Sequence, residues 1–162
     1  MTLFACRSAQ PLLTVQQLDV KKYSGTWYEI ARFTHSFEKG LECVSATYTP
    51  LPNGKIEVLN QGYTMGEAAK LKTAKGVAWV PDSKYPGRLK VQFFWPFSGN
   101  YWVIDLDPDY RYVLVGDASR KYLWILSRTK TLDPAIYDRL VITARQAGFN
   151  VEKLDKIRQD CR

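Results

Sequence analysis

Hydrophobic and polar residues alternate with a period of two along most of this 162-residue chain, and turn formers interrupt the alternation at short intervals. That is the pattern of consecutive antiparallel strands joined by tight turns. The first strand is expected over residues 25–33. The second is expected over 43–49, where Val44, Ala46 and Tyr48 share a face. Pro52-Asn53-Gly54 is the strongest local turn signal and makes a hairpin into residues 55–63. Residues 71–80 follow, then a loop bracketed by Pro81-Asp82 and Pro86-Gly87. The fifth and sixth strands are expected over 88–95 and 100–106. Asp107-Pro108-Asp109 turns the chain into residues 110–115, and residues 116–119 turn it again into the eighth strand, 122–128.

After residue 128 the period changes. Asp133 is placed to cap a helix and Pro134 to occupy its first position. Ile136, Leu140, Thr143, Ala144 and Ala147 then form a less polar stripe at helical spacing, and Gly148 suits the C-terminal end. A short second helix is expected over 151–157. Eight sequential strands can close on themselves and remove both sheet edges. The fold class expected is therefore all-β: an eight-stranded antiparallel up-and-down β-barrel, with the C-terminal α-helix packed on its outside. The interior of such a barrel is just wide enough for side chains or one small ligand. Length suits one domain, expected over 18–162 after an N-terminal tether over 1–17.

Composition sharpens the picture in one respect. Aromatic residues make up 14% of the chain, with five Trp and ten Tyr, which is more flat apolar surface than a small core requires. Aromatics favour strands for their own sake, and they also line ligand pockets. The formal charge of +7 favours anionic partners. The lysines are scattered, however, and no helix-turn-helix or RNA-recognition signature accompanies them. A solvated basic face explains them, and no nucleic-acid partner is expected.

No stretch is apolar and long enough to span a bilayer as a helix. Leu3-Phe4-Ala5-Cys6 has the form of the end of a bacterial lipoprotein signal, with a small residue just before the cysteine. The basic start and apolar stretch of a full signal do not precede it, so the chain reads as a truncated precursor. Lipidation of Cys6 would supply membrane anchoring; the alternative is an incidental cysteine. Cys43 and Cys161 lie in no Cys-x-x-Cys pattern, and with a single His in the chain a zinc site is not expected. They are read as a disulfide tying the C-terminal tail to the barrel, which implies an oxidising compartment.

Three short motifs carry a family resemblance. Gly25-Thr26-Trp27-Tyr28-Glu29 resembles the lipocalin signature at the start of the first strand. Asp109-Tyr110 stands in the turn before the seventh strand, where the second lipocalin motif lies. Trp124-Ile125-Leu126-Ser127-Arg128 ends the eighth strand, where the third supplies an Arg. All three are in register, and the likeness runs from about Leu18 to Cys161. In detail it is closest to bacterial lipocalins of the outer-membrane lipoprotein type and to the apolipoprotein D-like branch. The resemblance implies that Arg128 stacks on Trp27, a cation–π contact worth about 2 kcal/mol when desolvated. Cys43 and Cys161 fall where apolipoprotein D-like members have a disulfide. It further implies binding, storage or transport of a small hydrophobic ligand, fatty acid or lysophospholipid, at the periplasmic face of the bacterial outer membrane. No cofactor is implied.

The ligand-binding candidates are Phe33 and Phe37 at the rim, Phe93, Trp95, Tyr101 and Val103 on the wall, and Arg32 for a head group. Lys90 and the tyrosine hydroxyls are alternatives to Arg32. Alternation sends Phe93 and Trp95 to one side and Phe94 to the other. A cluster beside Pro96 would be a contact surface for a membrane or for a second copy in a homodimer. His35 is read as a surface residue. The rival function is a lipocalin-fold enzyme acting on a lipid-like substrate. Strand spacing, however, puts Glu29 and Arg32 on opposite faces, and no nucleophile–base pair or phosphate loop stands out. No catalytic residue and no metal ligand is assigned.

Overall fold

The computed structural model describes residues 10–36, 38–94 and 96–161. The expectations placed on Cys6, Phe37 and Trp95 lie outside the described residues. Eight strands close into a barrel: β1 (Gly25–Phe33), β2 (Leu41–Pro50), β3 (Ile56–Thr64), β4 (Leu71–Trp79), β5 (Arg88–Phe94), β6 (Phe97–Leu106), β7 (Tyr112–Gly116) and β8 (Leu123–Ser127). Each pairs antiparallel with its neighbour in sequence, and β1 pairs with both β2 and β8, which closes the ring. β6 begins earlier than the alternation suggests, because Phe97 pairs directly with Phe94.

Two hydrophobic layers result. Trp27, Ala46, Tyr48, Val58, Val103, Val115 and Leu126 fill the closed half of the interior. Ala31, Leu114, Leu123 and Ile125 point outward and meet Leu140 and Ala144 of helix α2 (Pro134–Gln146). β7 and β8 are thus buried on both faces, which is why they read as nearly unbroken apolar runs. Asp133 caps α2 by accepting from the N–H groups of Ala135 and Ile136, and Gly148 follows the helix at φ 91°.

The expected second helix over 151–157 does not form. A single 3-10 turn at Val151–Lys153 leads into a short strand, β9 (Leu154–Lys156), which pairs with Ala31–Phe33 of β1. β1 and β2 are paired only from Gly25↔Tyr48 to Tyr28↔Ser45, so the outer half of β1 has an unpaired edge on that side. The tail fills it. Ile157 N–H donates to Ile30 O, Cys43 N–H donates to Arg158 O, and the Gln159 amide donates to the carbonyls of Glu29 and Val44. An unpaired strand edge outweighs a weak local helical preference.

One end of the barrel is shut. A single helical turn, α1 (Val20–Tyr23), is capped by Asp19 and lays Tyr23 against Trp27. Trp27 Nε1 donates to Tyr23 O at 2.8 Å. The Arg128 guanidinium lies 3.8 Å from the Trp27 ring centroid and donates to the carbonyls of Lys22, Tyr23, Thr26 and Tyr110. Gly25 sits at φ 94°, and a Cβ there would come within 3.3 Å of Arg128 Nη1. Asp109 is exposed beside Arg111, while the Tyr110 hydroxyl accepts from Asp19 N–H at 2.9 Å. Of the segment expected as a tether, residues 10–17 run along the barrel. Leu12 is buried in the outer layer, and Val15 N–H donates to Val103 O.

Cys43 and Cys161 form a disulfide across 118 residues of sequence. Arg158 reinforces it with a two-pronged ion pair to Glu42. In the chain-entropy description, closing so long a loop contributes up to about 5 kcal/mol. Cys161→Ser is therefore expected to lower unfolding stability by about 2–5 kcal/mol. Urea denaturation under non-reducing conditions measures this, and an unchanged midpoint would show that the tail is held by its hydrogen bonds alone.

Candidate functional site

The open end of the barrel lies opposite the Trp27–Arg128 closure, where the β1–β2, β3–β4, β5–β6 and β7–β8 connections gather. Inward-facing residues near it are small on one side. Asn60 pairs with Ala46 and Ala74 on the same face, and Gly76 lies beside Phe93. A Cβ on Gly76 would come within 2.7 Å of the Phe93 ring, so the glycine is what lets that ring lie flat along the wall. Val91, Phe93, Tyr101 and Trp124 pack on the interior core yet keep part of their surface accessible. These four are the candidate lining of a ligand chamber above the packed floor.

The mouth side of this chamber is charged. β1 carries a bulge: Glu29 pairs with Leu126 and Ala31 with Ile125, so Ile30 is an extra residue. The bulge reverses the alternation. Glu29 and Arg32, expected on opposite faces, come together inside, with Arg32 Nη1 2.7 Å from Glu29 Oε2 and both side chains buried. Arg32 Nη2 donates to the carbonyls of Glu38 and Leu41, and Nε lies 3.7 Å from Glu38 Oε2. His35, expected at the surface, is half-buried, with its side chain largely covered. Its Nε2 is 2.7 Å from Glu38 Oε2, and its ring meets Tyr122 and Trp124 edge-on. Trp124 Nε1 donates to the same carboxylate. The β1–β2 connection is thus bound down onto the inner wall by one arginine.

Two carboxyls face a single guanidinium here, and they divide its effect. Burial pushes the Glu29 carboxyl up to about 8, the Glu38 charge adds to this, and Arg32 opposes both. Burial also raises Glu38, but the hydrogen bond and charge of His35, with Arg32 and Trp124, outweigh it and hold that carboxyl below its ordinary value. The arrangement is a neutral acid beside an ionised one, as expected when two carboxyls share a site. Asn60 adds a buried Oδ1 that meets no hydrogen-bond donor among the described residues.

The candidates drawn from alternation are redistributed by this geometry. Phe93 and Tyr101 face the interior and are half-buried. Val103 points inward but is wholly enclosed in the floor. Arg32 faces the interior with Nη1 and Nη2 donating to protein groups, while its buried Nε meets no acceptor within hydrogen-bond distance among the described residues. Phe33 is not at the rim. Displaced outward by the bulge, it packs edge-on against Phe149 beneath α2. Lys90 also leaves the site, because it shares the outer face with Trp79 and Asn100 while Leu89 and Val91 point in. Sequence reasoning missed His35, Glu38 and Trp124 as a unit. The only signal was a cluster of polar residues in the loop after the first strand. Outside the closed end, a groove of about 910 Å³ borders Val15, Leu18, Lys22, Leu106 and Pro108. It is separated from the chamber by the packed floor.

Comparisons with known proteins agree with this architecture. Residues 18–159 match the lipocalin-like domain. The chain is 44% identical over 158 residues to the outer membrane lipoprotein Blc of Citrobacter freundii, covering 96% of this chain and 89% of that protein. It is 34% identical over 148 residues to apolipoprotein D of Mus musculus, covering 86% and 76%. Among solved structures, the cockroach allergen Per a 4 superposes with a TM-score of 0.70 at 24% identity, covering 93% of this chain and 94% of that one.

Glu29 holds its proton more tightly in the folded chain than in the unfolded one. Its contribution to stability is therefore full below about pH 4.5 and lost as pH rises through about 8. Glu38 works in the opposite sense, losing its contribution only as pH falls below the ordinary carboxylate range. Melting temperature should accordingly decline from about pH 5 to about pH 8 in the wild type relative to Glu29→Gln. Parallel curves across that window would show that Glu29 ionises normally.

Proposed function

The chain belongs to the lipocalin family, and from that premise we propose that it binds a fatty acid or a lysophospholipid in the barrel, at the bacterial outer membrane. The observation that supports this reading is the inward aromatic and aliphatic wall of Val91, Phe93, Tyr101 and Trp124, whose residues are only half-buried. An acyl chain placed there leaves water at about 0.8 kcal/mol per buried CH₂. The polar head group stays at the mouth, near the charged cluster of Arg32, His35 and Glu38. Storage or transport fits this arrangement better than turnover, and the relatives carry the names of lipoproteins and lipocalins.

Two observations support this location. The bacterial relatives are named outer membrane lipoproteins. Leu3-Phe4-Ala5-Cys6 has the form of a lipoprotein cleavage site. We take residues 18–162 as the binding domain, with the preceding segment linking it to a lipid on Cys6 that faces the periplasm.

Titration of intrinsic Trp fluorescence with hexadecanoic acid and, separately, with a lysophospholipid of the same chain tests the cargo. Saturable change at micromolar ligand is expected, and the tighter of the two names the preferred head group. No response from delipidated protein would remove the lipid reading. For the anchor, the full-length precursor expressed in a bacterial host should partition with membranes, and Cys6→Ser should release it. A soluble wild type would refute the anchor.

A further inference from the structure

Three tyrosines from distant parts of the chain bring their hydroxyls to one point on the chamber floor. Tyr23 comes from α1, Tyr48 from β2 and Tyr101 from β6. The Tyr101 hydroxyl lies 2.5 Å from that of Tyr23 and accepts from that of Tyr48 at 2.9 Å. The rings pack on each other and on Trp27. Around them the interior is apolar, with Ile56, Val58, Leu89 and Val103.

Counting protons identifies a surplus. Three hydroxyls carry three protons, and the two oxygen–oxygen contacts use two of them. The third has no acceptor among the described residues. Tyr23 and Tyr48 are buried, whereas Tyr101 points inward and is half-buried. A donor left over at the end of an otherwise apolar cavity is the kind of polar group that fixes a ligand's orientation.

We infer that this floor is a hydrogen-bonding subsite for an uncharged oxygen acceptor, such as a ketone or ester carbonyl, at the end of the ligand that enters the barrel first. The inference rests on the binding reading above and adds a chemical requirement at the far end of the cargo. Burial raises all three phenols above their ordinary values, so they remain donors. An anionic end is disfavoured by its surroundings. Arg128 stands behind Trp27 with its guanidinium already donating to four carbonyls. On the other side the ionised Glu38 brings negative potential toward Tyr48. A carboxylate at the floor would be buried without a free cation, whereas a carbonyl loses little on burial and takes the waiting proton.

The test compares hexadecanoic acid, its analogue with a methyl ketone at the far end, and the corresponding dicarboxylic acid. Each displaces a fluorescent fatty-acid probe from the full chain, and the set is repeated with dodecanoic and tetradecanoic backbones so that one length reaches the floor. The ketone should bind about five-fold tighter than the plain acid, the usual net effect of one neutral hydrogen bond. The dicarboxylic acid should bind more weakly than the plain acid. In the triple variant Tyr23→Phe, Tyr48→Phe, Tyr101→Phe the ketone's advantage should vanish with the plain acid unaffected. All three hydroxyls go together there, so none is left buried and unpaired. Plain acid binding with no ketone advantage in the wild type, at any length, would assign the third proton to water and overturn the subsite alone. A ketone advantage that survives in the triple variant would place the donor elsewhere and overturn it as well. Failure of every compound to bind the wild type would overturn the cargo reading and the subsite together. Should the triple variant fail to fold, the wild-type comparison of ketone, plain and dicarboxylic acids decides.

Discussion

Everything in this barrel depends on how β1 is shared. It must pair with β2 on one side and β8 on the other for the sheet to close, and it cannot do both along its whole length. Its first half pairs with β2 through Tyr28, while its second half turns to β8 and to the C-terminal tail. The bulge at Ile30 is what allows the change, because it bends the strand and resets its register against β8. The seam opened on the β2 side is then filled by β9, by the backbone of Ile157 and Arg158, by the Gln159 amide and finally by the Cys43–Cys161 bond. The tail is therefore part of the barrel wall, and the disulfide secures the last backbone to join it.

The same bulge sets the electrostatics of the mouth. By turning Arg32 inward three residues after Glu29, it places a guanidinium in a low-dielectric wall, where a lone charge is costly. That cost is offset by an ionised Glu38, by two backbone carbonyls of the covering loop and by the hydrogen bond to Glu29. Two acids against one arginine leave one of them protonated, and burial together with its neighbour's charge selects Glu29. Strand geometry, loop position and protonation state are one coupled problem here. Arg32 ties Glu38 and Leu41 against the inner wall through the carbonyls of both and the Glu38 carboxylate.

Along its axis the interior is divided by side-chain size and polarity. Trp27, Tyr23 and Arg128 shut one end with aromatic packing and a stacked cation. The middle is lined by Phe93, Val91 and Trp124 opposite small residues. Polar atoms occur at few heights: the hydroxyl cluster on the floor, the Asn60 carbonyl oxygen on the wall and the ion network at the mouth. Outside, α2 covers β7 and β8, while Phe94 and Phe97 stand exposed on the uncovered hairpin.

The strands, their order and the capped helix were legible in the residues themselves, because alternation, Pro-Asn-Gly and Asp-Pro act over a few positions. Residues 25–33 were read as the first strand and are β1, and Asp133 and Pro134 begin α2 as their chemistry requires. The Gly-x-Trp motif and the final Arg marked the family because a glycine at positive φ and a stacked indole need those residue types. What pointed where was decided only in three dimensions. A single extra residue in β1 moved Phe33 to the outer layer and joined Arg32 to Glu29, and nothing local announces such a bulge. Leu154–Lys156 became a strand because an edge elsewhere needed a partner. Tyr23, Tyr48 and Tyr101 are far apart in the chain, and their hydroxyls meet only because barrel closure superimposes three separate registers. Local chemistry set the elements, and the closure of the ring, a long-range condition, set the faces and hence the site.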